Sequence, residues 1–345
     1  MVVGNPPYVA ASKARQHYSV KNYSTEKASD IYAWVLERAK NLSNDSSWSG
    51  MIVPLSLSFS GDFDSCRQML YKFNGENWFS SFARIPAALF AADVRVRNVI
   101  HIGRRKGKKS NYTTRLHRWF EEFRPYLMDS VQYAEFKPAQ WQNLVPRTST
   151  NSLTRSFESL NRQGHTISTT FSQYEKGFPL YFKKSAYNWL CFCRNLPPCY
   201  NASGKSIEHT EFGVVHFGDA ATQRLALLFL NGKIEFAYWA IMGDDFHVAK
   251  WMFADFPANF ASLPSNTTKR LMILADQLET MMVKNVSFKL NAGKRVGNYN
   301  LAKCRSLTDQ SDRIFAEHLG LIDVWPDIER LYNQIVLTTF DQTDE

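Results

Sequence analysis

Two adjacent prolines near the start, Pro6 and Pro7, constrain the local fold more tightly than any other feature of the chain. Each locks its own φ and removes a backbone donor, so neither a helix interior nor a paired strand runs through them. Ahead of them lies Val2–Val3–Gly4, which reads as the tail of a buried strand. The chain must therefore pass from a strand straight into a stiff loop at Asn5–Tyr8.

The residues that follow alternate short apolar runs with helical patterns, as an open α/β sheet requires. Residues 30–42 place Ile31, Val35, Ala39 and Leu42 at helical spacing, with Trp34 and Leu36 widening the apolar face. Gly50 opens Met51–Ile52–Val53–Pro54, a short continuous apolar strand of the kind covered on both faces. Residues 63–72 read as the next helix, and 77–83 and 94–102 as two further strands. The run Arg104–Arg105–Lys106–Gly107–Lys108–Lys109 then marks a boundary. It is either a solvated linker or a phosphate-contacting hinge.

Beyond residue 110 the texture changes. Residues 143–176 are rich in Ser, Thr, Asn, Gln and Arg, which suggests exposed loops. Residues 223–242 are strongly apolar and read as packed helices. Another helix is expected over 271–283, and two more over 309–337. The 345 residues suffice for two ordinary domains.

Lys and Arg outnumber Asp and Glu by 41 to 32, a formal charge of +9. That balance suits a polyanionic partner, though a merely basic surface explains it equally well. The 25 Phe, 15 Tyr and 9 Trp exceed what a core of this size needs. They serve either as core and interface or as platforms for unstacked bases. Five cysteines form no even framework, and Cys191, Cys193 and Cys199 lack a fourth ligand in register, so reduced thiols are expected ahead of zinc. The histidines are scattered without helical pairing, and no metal is expected. No run of about 18 apolar residues is present, nor a basic-then-apolar start, so the expectation is a cytoplasmic protein with no membrane partner.

The loop Asn5–Pro6–Pro7–Tyr8 suggests a particular chemistry. An exocyclic amine is a poor nucleophile because its lone pair is delocalised into the ring. Two fixed acceptors that take both of its protons free that lone pair. The Asn5 side-chain oxygen and the Pro6 backbone carbonyl are such a pair, and the Tyr8 ring offers a surface for a flipped base. In sequence and placement this loop resembles the N-P-P-Y motif of N6-adenine DNA methyltransferases, in particular the large single-chain, type IIG-like enzymes of restriction–modification systems.

The resemblance extends further. Asp30–Ile31–Tyr32 heading a helix, and the strand 50–54, look like the segments that follow the catalytic loop in that family. It implies that Trp34 or Val35 borders the adenine of the methyl donor, S-adenosyl-L-methionine. Residues 85–90 followed by 94–100 resemble a later motif, which points to Phe90 as the ring opposite Tyr8 on the extruded base; Phe90 reads equally well as core. The stretches 229–244, 256–257, 297–300 and 319–321 resemble recognition and C-terminal regions, more loosely. The family's Gly-rich donor-binding turn would precede Asn5 and is not found among these residues.

The expected fold is thus α/β: the C-terminal half of a Rossmann-like methyltransferase sheet, followed by a mixed α+β target-recognition part and a helical region. The expected divisions are a partial catalytic domain at 1–109, a target-recognition domain at 110–270 and a helical region at 271–345. The expected activity is site-specific adenine N6-methylation of double-stranded DNA; the donor-binding part is expected either on a separate N-terminal methyltransferase chain or to be missing because the chain is a truncated remnant. The alternatives are an inactive DNA-binding or specificity module of the same descent, and amino methylation of RNA or of a protein glutamine.

Overall fold

The computed structural model describes residues 1–90, 95–173 and 176–336. The chain divides into two compact units, Met1–Arg162 with Ala240–Asp244, and Gln163–Trp239 with Asp245–Glu345.

The first unit is a six-stranded mixed sheet with helices. Its strands are β1 (Val2–Gly4), β2 (Trp48–Pro54), β3 (Glu76–Phe82), β4 (Asn98–Arg104), β5 (Ser110–His117) and β6 (Ala134–Phe136). Their order across the sheet is β1-β2-β4-β3-β5-β6. β1 pairs parallel with β2, and β3 with β5, whereas β4 runs antiparallel to both its neighbours. The helices are α1 (Ala11–Ala14), α2 (Tyr32–Asn41), α3 (Ser56–Phe59), α4 (Asp64–Phe73) and α5 (Asn151–Asn161).

Side-chain alternation explains which sheet face is buried. Met51, Val53, Phe79, Val99 and His101 point to one face and are buried, as are Leu36 and Ala39 of α2 and Met69 and Leu70 of α4. The opposite face is covered only in part. Phe82 and Ile100 pack with Trp119 and Leu127, but Trp48, Trp78 and Tyr112 form a half-exposed stack with centroids 5.8 and 5.5 Å apart. Continuous apolarity at 51–53 predicts cover on both faces; β2 instead alternates between buried and half-buried residues.

Four further segments are placed as follows. The basic run 104–109 is a turn within the sheet. β4 ends at Arg104, the turn wraps the start of β3, and β5 begins at Ser110, so the sheet continues through residue 109. The compact unit extends to Arg162, and a division at 270 falls within the second unit. The polar stretch 143–176 contains α5, whose sparse apolar residues Leu153, Phe157 and Leu160 share one buried face. Its N-terminus is capped by Thr150, whose hydroxyl accepts a hydrogen bond from the Leu153 N–H at 3.2 Å. Of the strand expected at 94–102, Val94 lies outside the described residues, and pairing begins at Asn98.

Among its described residues the second unit holds two three-stranded sheets and five α-helices, with part of a sixth. The first sheet orders β10 (Phe212–Phe217), β7 (Phe178–Lys183) and β8 (Phe192–Cys193); the second orders β11 (Val286–Asn291), β12 (Lys294–Tyr299) and β9 (Cys199–Tyr200). The helices are α6 (Ala220–Leu230), α7 (Lys233–Met242, up to Trp239 in this unit), α8 (Lys250–Ala254), α9 (Ser265–Lys284), α10 (Arg305–His318) and α11 (Trp325–Ile335). Leu337, placed in the last expected helix, lies outside the described residues. Phe229 centres an aromatic core with Phe256, Phe260 and Phe315, at centroid distances of 4.8, 5.7 and 5.1 Å.

Among the described residues no single helix is long and apolar enough to cross a membrane. α6 and α7 pass together on length and composition, but are bent by 68°.

Candidate functional site

The loop after β1 is held at the ends of three strands. The Tyr8 hydroxyl lies 2.8 Å from Asn5 Oδ1 and 3.1 Å from the Ile52 carbonyl of β2, and its one proton serves either acceptor. Asn98, the first residue of β4, donates to the same hydroxyl through Nδ2 at 3.1 Å. Burial raises the Tyr8 hydroxyl to about pKa 12, opposed by the Asn98 hydrogen bond, so it stays a neutral donor at physiological pH.

Pro6 is buried and anchors the loop, while Asn5 and Pro7 are exposed and Tyr8 is half-buried. An amide oxygen carries two lone pairs, so Asn5 Oδ1 bound to Tyr8 retains one acceptor position. Among the described residues no donor is directed at the Pro6 carbonyl. The loop's exit is pinned as well: the Ile31 N–H donates to the Val9 carbonyl at 3.0 Å, and the Ala11 N–H to the Ser29 carbonyl at 2.8 Å. This places Asp30 beside the loop, its carboxyl raised by burial and stabilised in part by neighbouring backbone groups.

Asn98 is the residue the sequence reading passed over. It sits 90 positions from Tyr8, is 1% exposed, and its Oδ1 has no hydrogen-bond partner among the described residues. Its only legible signal is a polar side chain inside an apolar strand.

The other expected site residues do not join this cluster. Trp34 is 4% exposed and packs against Ala11, Ala14 and Ile31, with Val20 and Tyr23 around them. Its indole N–H donates to the Thr25 carbonyl at 3.0 Å, so it offers a donor no open surface. Val35 is half-buried, one position further along α2. The described residues therefore do not by themselves form a fitting site for S-adenosylmethionine. Phe90 is half-buried at the end of a segment that Arg124 holds through the Ala88 and Leu89 carbonyls, at 2.7 and 3.0 Å. No described hydrogen bond or ring contact links Phe90 to Asn5–Tyr8.

The five cysteines are free and buried. Burial pushes the Cys191 thiol up to about 12 and raises Cys193 as well, which makes both poor thiolates. Among the described residues no group of three or more His, Cys, Asp or Glu is placed to hold a metal ion.

Residues 1–85, which contain this loop and its supporting helices, match the family model of the Eco57I restriction-modification methylase. No curated protein matches the chain. Among solved structures, the chain is similar to the type IIL restriction-modification enzyme MmeI in complex with DNA, at 10% identity and a TM-score of 0.46, covering 99% of this chain and 55% of that one. A nuclease-deletion mutant of the type ISP enzyme LlaGI with a DNA substrate mimic matches at 14% identity and a TM-score of 0.34, over 59% of this chain and 22% of the other. The DrdV–DNA complex matches at 16% identity and a TM-score of 0.31, over 39% and 17%. The chain thus spans 55% or less of the length of these structures.

Proposed function

We propose that this chain carries the catalytic loop and DNA-recognition part of an N6-adenine DNA methyltransferase of the N-P-P-Y class. The observation that carries the reading is the Tyr8 hydroxyl, which ties the Asn5 amide oxygen to the ends of β2 and β4. A fixed Asn5 Oδ1 and the Pro6 carbonyl would accept the two N6 protons of an extruded adenine and direct its lone pair outward. Holding both acceptors in place before the base arrives avoids ordering them during the reaction. The Tyr8 ring would lie along the base, and Phe90 is proposed for its other face.

The methyl group would come from S-adenosyl-L-methionine, as the match to a methylase family over residues 1–85 suggests. A complementary donor-binding part would grip it. Two features support the packing of such a part against this sheet. Val3 on the edge strand β1 is 68% exposed, and Trp48 is 40% exposed on the partly covered face of the sheet. The sequence patterns beyond residue 110 and the basic charge support recognition of double-stranded DNA by the rest of the chain.

Transfer of a labelled methyl group to duplex DNA, measured with that complementary part present, tests the reading. Asn5→Ala should reduce transfer at least about a hundredfold, the scale of losing one fixed polar contact to the reacting group, while DNA affinity stays within about twofold. Unchanged transfer in Asn5→Ala overturns it. Absence of transfer by the unsubstituted chain under all conditions, with DNA bound, favours the inactive specificity module. Transfer to RNA or protein in place of duplex DNA favours the third alternative.

A further inference from the structure

The first unit carries a concave site at the end of the sheet opposite the Asn5–Tyr8 loop. The loop meets the sheet at Ile52 and Asn98, while this cleft lies beyond Trp48 and Arg104, on the order of 15 Å away along β2. The cleft has a volume of about 1330 Å³ and is flanked by residues 22–24, the last turn of α2, the length of α4, the turn after β4, and residues 138–143.

Four cations line it: Lys40, Lys72, Arg105 and Lys106. Two carboxylates also line it. Glu37 is enclosed, accepting hydrogen bonds from the backbone and hydroxyl groups of Ser24 and Thr25 at 2.8–3.1 Å. Asp45 pairs loosely with Arg105 at 3.6 Å and its side chain is 78% exposed. The aromatic floor is Phe73, with the Arg105 guanidinium 3.0 Å and the Lys40 ammonium 5.4 Å from its ring centroid. Arg105 also donates to the Phe73 carbonyl at 2.9 Å, and Lys109 to the Lys72 and Asn74 carbonyls at 2.9 and 3.0 Å. Arg105 and Lys109 thus neutralise the C-terminus of α4. Among the described residues Lys40, Lys72 and Lys106 have no carboxylate partner, and Lys72 and Lys106 are exposed.

We propose that this cleft binds the phosphodiester backbone of DNA, as a contact separate from the base-handling loop. Unpaired lysines around a fixed arginine suit a row of phosphates. The volume exceeds the roughly 300–1,000 Å³ usual for a small-molecule pocket, which favours a strand over a single nucleotide. The proposal shares with the proposed function only the identity of the ligand. It is read by binding, without methyl donor, so loss of methylation leaves it standing.

The test is fluorescence anisotropy of a labelled 24-base-pair duplex with the full chain, across a range of salt concentrations. The triple variant Lys40→Ala/Lys72→Ala/Lys106→Ala is compared with Lys13→Ala/Lys27→Ala/Arg38→Ala, an equal change of charge at exposed positions of the first unit outside the cleft. The cleft variant should weaken binding about tenfold or more and lower the slope of log K against log salt by about 2–3, while the control changes much less. Lys72→Glu alone should act in the same direction, which guards against misfolding of the triple variant. An unchanged slope in the cleft variants, or equal loss in the control, overturns the proposal. So does displacement of the duplex by millimolar free nucleoside triphosphate that depends on the cleft lysines, which would mark a nucleotide pocket.

Discussion

The two compact units bury their residues in different ways. In the first, one sheet face is packed under α2 and α4 while the Trp48–Trp78–Tyr112 stack on the other stays half-exposed. In the second, Phe229 of α6 is enclosed by Phe256, Phe260 and Phe315, and some of the polar groups inside are tied to backbone. Asp312 accepts the Lys233 N–H through Oδ2 at 2.7 Å, and Asn231 exchanges hydrogen bonds with the Phe192 backbone at 2.9 Å in both directions. Gly232 lies against Asp312 so closely that a Cβ would strike the carboxylate. The difference teaches where the molecule can accept a partner. A closed core has its neighbours already, whereas a half-covered aromatic sheet face still has surface to bury.

The largest effects should fall on the closed core. Phe229→Ala removes a fully buried ring with three aromatic neighbours and should cost about 3–5 kcal/mol. Trp78→Ala removes a larger ring from the partly covered face and should cost only about 1–2 kcal/mol, mostly its stacking on Trp48 and Tyr112. Chemical denaturation with peptide-resolved hydrogen exchange checks both. Equal costs would erase the contrast between the units.

Next in size is an opposed dependence on pH. In the first unit burial pushes His101 and His117 down from 6.5 to about 3, with Arg115 adding to the effect at His117. The unfolded chain then binds protons that the folded unit refuses. Stability from these rings is complete above about pH 6.5 and falls as pH drops toward 3, by up to ~1.4 kcal/mol per pH unit for each ring. Glu37, held low by its hydrogen bonds against burial, acts in the same direction, and Asp30 opposes it. In the second unit burial raises Asp312 from 3.8 to about 7 against the Lys233 N–H and Arg305, and raises Glu235 as well. Their contribution is complete below about pH 4 and declines as pH rises toward 7; Asp255 adds to it and Asp219 opposes it. Hydrogen exchange between pH 4.5 and 6.5 should therefore show protection rising with pH in the first unit and falling in the second. His117→Phe and Asp312→Asn should each flatten the slope of its own unit. Slopes of the same sign in both units would refute the assignment.

The first unit was the more legible of the two. Strand, rigid loop and helix follow from Val2–Val3–Gly4, Pro6–Pro7 and the spacing of Ile31, Val35 and Ala39, because each signal is local. The turn at 104–109 suggests a boundary from sequence because its charge is local while its pairing is not. Only strand order reveals that β5 passes beyond β3 and continues the sheet. α5 was hidden by polar residues on its exposed face, although Leu153, Phe157 and Leu160 keep helical spacing. The site was half legible. Asn5 and Tyr8 are three positions apart in one motif, whereas Asn98 reaches the loop only through folding, and the pairing of the Trp34 indole N–H with the Thr25 carbonyl is equally non-local.

The smallest stability change should come from the residue that the proposed chemistry depends on. Tyr8→Phe keeps the ring and removes the hydroxyl that joins Asn5 Oδ1, the Ile52 carbonyl and Asn98 Nδ2. A net loss of about 0.5–1.5 kcal/mol is expected, and it should be confined to the first unit. Since Asn98 is buried and would lose its donor's partner, the loss should sit toward the upper end of that range, and Tyr8→Phe/Asn98→Leu should recover part of it. With Asn5 no longer tied to the sheet, methyl transfer should fall by much more than this stability loss explains, while DNA affinity holds. A fall in transfer no larger than the fall in folded fraction would mean that the hydroxyl only supports the loop's packing, and that orientation of Asn5 lies elsewhere.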